Sequence, residues 1–374
     1  SWTMLEFLPD YPELMRDRER ERCDASVQPR RSRPDGCAMR AMSESRALRV
    51  IAPARLHLGF VDLNGEIGRR YGSVGLAIDE PATEVVVRRS ATGAHSASGP
   101  EARRVLSILD TLAAATRLDG AFDVHVARAI PAHAGLGSGT QLALAIAGGC
   151  LGLDGRTPGA ELMGALADRG RRSAIGIASF AGGGFIVDGG RGSHDRPPPV
   201  LVQHPFPADW RVILALDPAA TGVHGDRETR AFASLQPMPR ATAAHLAHLV
   251  LMKAAPALVE HDIAPFGDAI AEIQEIVGAH FAAAQGGDMW SNPKVGELMR
   301  RIGAAGAHGI GQSSWGPTGF AFVADPDAAT TLYHSFVGDA KALGLDLRIV
   351  AGRNGGARIE PCNADAFEEG TIGR

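Results

Sequence analysis

Gly135, Gly137 and Gly139, interleaved with Leu136, Ser138 and Thr140 and followed by Gln141, are the residues in this chain best spaced to do chemistry. Glycine lets the backbone approach an anion and turn its N–H groups toward it, and Ser138 and Thr140 add hydroxyl donors. The apolar run 142–150 predicts a buried helix opening at this loop, where a phosphate would meet aligned peptide dipoles. The stretch lacks the Gly-Lys-Ser/Thr ending of a P-loop and the glycine spacing of a dinucleotide fold. A plain glycine turn before a core helix has the same appearance.

Other side chains could serve a phosphorylated ligand and a reacting partner. Arg171 and Arg172, with Ser173 beside them, offer forked positive charge suited to phosphate, as do Arg55 and the pair Arg69 and Arg70. Each arginine taken singly is more often a solvated surface charge. His57 and His133 could accept a proton when neutral or hold an anion when charged; each is equally a packing or hydrogen-bonding group of a cleft wall. Asp62 is a candidate carboxylate whose alternative is to stabilise a turn. Gln312, Ser313, Ser314 and Trp315, bounded by glycines, form a polar and aromatic loop able to stack on a flat ring, or to plug a domain interface. Asp226 and Glu228 could bind metal or cap a helix.

The elements that must position these groups alternate between strand and helix periodicity. Strands are expected at 48–52, 54–64, 83–88, 121–127 and 182–188, with helices at 101–116 and 158–169 and the glycine loop with its helix between them. The prolines at 197–199, 205 and 207 mark a boundary. Beyond it come a strand at 210–216, alanine-rich helices at 242–259, 264–284 and 293–305, a strand at 319–324, a helix at 327–343 and a strand at 345–350. The chain therefore divides into a charged, proline-containing extension over 1–45, a phosphate-binding domain over 46–205 and a second domain over 206–374. The fold class is α+β.

Composition bounds the function. With 374 residues, 45% of them hydrophobic, the chain can bury a substantial core, and its net charge of -4 sets up no field for nucleic acid or an anionic membrane. Four cysteines form no metal-ligand spacing, which fits a reducing cytoplasm. No uninterrupted apolar run of membrane-crossing length and no signal-peptide core is evident. The expectation is a cytoplasmic protein with small-molecule partners and no nucleic-acid or membrane partner.

Residues 52–62, 131–142 and 311–320 together resemble, in order and spacing, the three motifs of the GHMP superfamily of small-molecule kinases. Within it, Arg55-Leu-His-Leu-Gly59, Arg171-Arg-Ser-Ala-Ile-Gly176 with Phe180, the run from Gly182 to Gly190, and Gly311-Gln-Ser-Ser-Trp-Gly-Pro317 are similar to the β-ribofuranosylaminobenzene 5′-phosphate synthases. The resemblance implies an N-terminal domain like domain 2 of ribosomal protein S5, a ferredoxin-like C-terminal domain and a homodimer. It implies a phosphoribosyltransferase joining phosphoribosyl pyrophosphate to 4-aminobenzoate or 4-hydroxybenzoate in methanopterin biosynthesis, with loss of carbon dioxide and pyrophosphate. Mg²⁺ is expected with that substrate, its ligands unassigned. Many GHMP kinases carry a catalytic Asp before the glycine-rich strand, where residues 173–180 here offer only hydroxyls. An ATP-dependent small-molecule kinase and a non-catalytic nucleotide-binding protein stand as the alternatives.

Overall fold

Strand β1 (Ala47–Asp62) is the spine of the first sheet in this computed structural model, which describes residues 47–363 apart from 117, 167–172, 195, 223–229, 231, 234 and 286. The expected extension over 1–45 lies outside the described residues. β1 runs antiparallel to β2 (Tyr71–Arg89), whose second half pairs with β4 (Phe122–Arg128) and whose first half pairs with β5 (Phe185–Asp188). β3 (Ser96–Ser98) lies along β4, and β6 (Val200–His204) extends the sheet from β5. The strands expected at 54–64 and 48–52 are thus one strand, and the expected 83–88 is the second half of a much longer one. Valine- and leucine-rich pairing over both halves outweighs the turn residues between them.

Against this sheet lies α2 (Ser138–Leu153), buried without a break from Gln141 to Leu151. A helix apolar all round belongs inside a protein. Gly149 lets it touch the sheet: a β-carbon there would fall 2.5 Å from Val87 Cγ2. Beside it stand α1 (Ala102–Ala115), α3 (Ala160–Leu166) and α4 (Ile175–Ala181).

The second sheet holds β7 (Arg211–Leu216), β8 (His308–Gln312), β9 (Gly319–Val323) and β10 (Asp346–Ala351) in the order β10-β7-β9-β8. In chain order this is 4-1-3-2 and wholly antiparallel, the ferredoxin-like arrangement. Both faces are covered. Ile213, Ala215 and Val323 pack on α8 (Pro293–Ala304) and α9 (Pro326–Ala342), while Leu214, Phe320 and Phe322 join a core that also contains Leu56, Leu58 and Phe60 of β1. That shared core includes Phe266, Ile270 and Ile273 of α7 (Ile263–Phe281).

Two expectations are revised. The segment after 206 does not stay with its own sheet: β11 (Arg358–Cys362) returns to pair with β1 as an edge strand of the first sheet. Its alternation is too short and too exposed to stand out in sequence. The helix expected at 242–259 is three pieces, α5 (Arg240–Leu249), a π turn (Val250–Ala254) and α6 (Ala255–Val259). Pro256 has no N–H to give the α-helical ladder, so the register shifts just before it. By length and composition alone this run, Arg240–Val259, is long and apolar enough to cross a membrane, yet it is no uninterrupted apolar run, since His245 and His248 break it. It carries Lys253, and Leu246, Leu249, Val250 and Leu258 are buried in the shared core.

Candidate active site

The loop between β4 and α2 turns three residues into the left-handed region: His133 (φ 58°), Gly135 (φ 77°) and Gly137 (φ 79°). Gly137 is the N-cap of α2, and the first helical bond runs from the Gln141 amide to the Gly137 carbonyl at 3.0 Å. The amides of Ser138, Gly139 and Thr140 therefore point out of the helix end. No acidic side chain occupies the first turn and no side chain caps it.

The loop's carbonyls are tied down on its other side. The Ser313 hydroxyl donates to the Gly135 carbonyl at 2.6 Å, Thr318 Oγ1 to the Ala134 carbonyl at 2.7 Å, and the Gly222 amide to the His133 carbonyl at 2.8 Å. Arg55 donates its backbone amide to the Leu136 carbonyl at 3.1 Å and its Nη1 to the Gly135 carbonyl. With the carbonyls spent inward, the amides are left for a ligand. Gly135 must be glycine, since a β-carbon would lie 2.3 Å from the Ser313 carbonyl oxygen.

Two guanidiniums stand at this helix end. Arg55 lies under Gly137, whose β-carbon would be 3.3 Å from its Nε, and Arg104 of α1 lies over Gly139, whose β-carbon would be 2.1 Å from its Nη2. Arg104 is held loosely by Glu101, at 3.6 Å. Cations at the positive end of a helix dipole are unfavourable unless an anion joins them. The geometry thus suits a polyanion such as pyrophosphate.

Next to the loop is a small cavity walled by Phe60, Phe281 and Trp315, with His57 between the walls and the loop's anchor Ser313. The ladder between β1 and β2 is bulged between His57 and Gly59, a distortion that re-aims side chains near sites. Gly59, at φ 144°, admits Ile273 Cγ2 where a β-carbon would be 2.5 Å away. The His57 amide donates to Ser313 Oγ at 3.0 Å, and its carbonyl accepts from the Ser314 amide at 3.2 Å. Burial, reinforced by the Arg55 charge, lowers the His57 pKa to about 3, so the ring is neutral at any physiological pH. Such a ring accepts hydrogen bonds but holds a proton poorly, which argues against the general-base role weighed for it.

The floor of the cavity is a chain of amides. Gln274 donates to the Leu58 carbonyl at 2.7 Å and accepts from the Gln312 amide at 2.9 Å; Gln312 Nε2 donates to Gln285 Oε1 at 3.0 Å, and its Oε1 accepts from the Ser291 amide at 2.9 Å. Trp315 packs its ring against Phe281 at 4.6 Å and Phe232 at 5.3 Å, so it is both an interface plug and a cavity wall.

The remaining expected residues divide. Ser138, Gly139 and Thr140 form the open helix end, Leu136 is buried in the shared core, and Gln141 bridges to the Gly176 carbonyl at 2.8 Å. Asp62 Oδ1 accepts from the Asn64 and Gly65 amides at 2.6 and 2.9 Å, so it serves the turn after β1 and is absent from the cavity lining. Arg69 is spent on the Gly189 and Gly190 carbonyls. Ser173 donates to Asp188 at 3.1 Å instead of facing a ligand. Arg171, Arg172, Asp226 and Glu228 lie outside the described residues. Among the described residues no three His, Cys, Asp or Glu converge as a metal site. Sequence reasoning missed Arg104, Gln274 and Asp188. Gln274 alone had a signal, a lone amide in the apolar stripe of Phe266, Ile270, Ile273 and Val277.

Residues 103–184 match the family described as GHMP kinases N terminal domain and residues 254–340 that described as GHMP kinases C terminal. Over 290 residues, 72% of this chain and 86% of the other, the chain is 36% identical to the beta-ribofuranosylphenol 5'-phosphate synthase of Methanothermobacter thermautotrophicus. It is 35% identical over 286 residues, 73% of this chain and 87% of the other, to that of Archaeoglobus fulgidus. A homoserine kinase structure from Cytophaga hutchinsonii shares the fold, with a TM-score of 0.58 at 17% identity, covering 89% of this chain and 100% of that one.

Proposed function

The chain belongs to the beta-ribofuranosylphenol 5'-phosphate synthase family, a pentosyltransferase branch of the GHMP fold, and from that premise we propose that it transfers ribose 5-phosphate from phosphoribosyl pyrophosphate to 4-hydroxybenzoate or 4-aminobenzoate, with loss of carbon dioxide, as a step toward methanopterin. The observation that carries this reading is the open end of α2, flanked by Arg55 and Arg104 and adjoining an aromatic cavity.

Departure of pyrophosphate from C1 leaves an oxocarbenium-like centre and gathers negative charge on the leaving oxygens. The amides of Ser138, Gly139 and Thr140 and the two guanidiniums stabilise that charge as it develops, which is where preorganised donors accelerate a reaction. The carboxyl-bearing ring carbon then bonds to C1, and the C–CO₂ bond breaks with its electron pair returning to the ring. No proton leaves the attacked carbon, so the absence of a carboxylate from residues 173–180 is no obstacle. Mg²⁺, expected with phosphoribosyl pyrophosphate, would neutralise phosphate charge; it needs few protein oxygens beside those of the phosphates, and its ligands are unassigned.

The experiment is incubation of the protein with phosphoribosyl pyrophosphate and carboxyl-labelled arene. Equal amounts of labelled carbon dioxide and pyrophosphate, formed only when both substrates are present, are expected. ADP formed from ATP and an alcohol, with no labelled gas, would overturn the reading in favour of a kinase.

A further inference from the structure

We propose, resting on the reading above, that Asp188 is a positioning residue for the phosphate end of α2: it fixes the start of α4, and α4 in turn holds Thr140 and Gln141 in place.

Asp188 is a buried carboxylate with no task in the chemical step. It is 1% exposed, and among the described residues no Lys or Arg pairs with it. Burying such a charge is costly unless donors surround it. Three do so here. Oδ2 accepts from the Ala174 amide at 2.8 Å and the Ser173 hydroxyl at 3.1 Å, while Oδ1 accepts from the Gly190 amide at 2.9 Å. Ser173 Oγ also accepts from the Ile175 amide at 3.2 Å. Ala174 is the N-cap of α4 and Ile175 its first residue, so the carboxylate lies at the positive end of that helix, where a negative charge is favourable.

α4 depends on such an anchor. It has seven residues, too few to hold a helix by its own ladder. Packing wedges it between β2 and α2. On one side Ile175 lies so close to β2 that a β-carbon on Gly75 would be 2.3 Å from Ile175 Cγ2. On the other, Gly176 meets the first turn of α2: a β-carbon there would be 3.0 Å from Thr140 Cγ2 and 3.8 Å from Gln141 Nε2. The Gly176 carbonyl accepts from Gln141 Nε2 at 2.8 Å, and Gln141 Oε1 is buried without a partner, so this bond is the tie on the Gln141 side chain.

The Gln141 backbone amide begins the helical ladder on Gly137, and Thr140 supplies one of the amides at the open end. A displacement of α4 therefore reaches the donors that meet pyrophosphate, and the worth of preorganised donors depends on their placement. Asp188 touches no ligand and acts through α4.

The test compares the wild type with Asp188→Asn and Gly176→Ala by calorimetric titration with inorganic pyrophosphate, KM for each substrate and thermal melting. Asparagine turns one carboxylate oxygen into an N–H that faces donors; alanine adds one methyl against Thr140 and gains helix propensity. Pyrophosphate should bind about tenfold more weakly to both variants, with KM for phosphoribosyl pyrophosphate rising in step and KM for the arene unchanged. Gly176→Ala should melt within about 3 °C of the wild type, a split that a merely structural role does not give. Wild-type affinity for pyrophosphate in either folded variant, or an equal rise in both KM values, overturns the proposal and leaves the transferase reading standing. Should Asp188→Asn not fold, Ser173→Ala, which removes only the hydroxyl joint between Asp188 and Ile175, takes its place under the same criteria. A wild type that binds no pyrophosphate overturns both the proposal and the reading.

Discussion

Ser313 and Gly135 stand 178 positions apart and are joined by a 2.6 Å hydrogen bond from the serine hydroxyl to the glycine carbonyl. The same hydroxyl accepts the His57 amide, so one side chain of the second sheet's loop sets the spacing between phosphate loop and cavity. Ser313→Ala should leave a buried amide without its acceptor and cost about 1–3 kcal/mol of stability. Thermal melting combined with KM for both substrates checks it: a rise in both KM values is expected, and a variant matching wild type in both would detach Ser313 from the site.

Gly137→Val places a branched side chain at φ 79°, against Arg55 Cγ at 3.1 Å. The left-handed backbone costs a β-carbon about 1–2 kcal/mol, and the new side chain occupies the approach of phosphate. Activity should fall at least a hundredfold, more than the melting temperature can account for. Circular dichroism beside an activity assay separates the two effects.

How far the site was legible depended on whether its signal was local. The glycine loop, the buried helix after it and the motif around Gln312 carry their geometry in adjacent residues, because positive φ and an anion-facing helix end are local demands. Arg104 was invisible: it sits on the exposed side of α1 and reaches Gly139 only through the packing of α1 on α2. Asp188 was hidden differently. It reads as an ordinary strand end, yet it accepts from the Ala174 and Gly190 amides at 2.8 and 2.9 Å, and burial pushes its carboxyl upward. The sheet partner of β1 at the chain's end was unreadable too, since pairing across some 300 residues leaves no local mark.

Arg104→Ala removes charge from the end of α2 while touching nothing in the cavity. Affinity for phosphoribosyl pyrophosphate should drop about tenfold or more, with arene affinity unchanged. Calorimetric titration of each substrate measures both; equal losses would contradict a phosphate role.

The buried neutral His57 also makes a prediction about pH. Its pKa is lowered to about 3 in the folded chain, against about 6.5 unfolded. Between those values the unfolded chain binds one proton more, so the contribution is whole above pH 6.5 and is lost as pH falls toward 3. From pH 7 to pH 5 the wild type should lose about 2 kcal/mol more than His57→Phe in urea denaturation. Parallel losses would mean that the ring protonates freely.

The most direct measurement is a crystal structure of the protein soaked with phosphoribosyl pyrophosphate. Pyrophosphate oxygens about 3 Å from the amides of Ser138, Gly139 and Thr140, with Arg55 and Arg104 closing on them, are the predicted result. A substrate bound with its pyrophosphate away from the end of α2 would contradict the account.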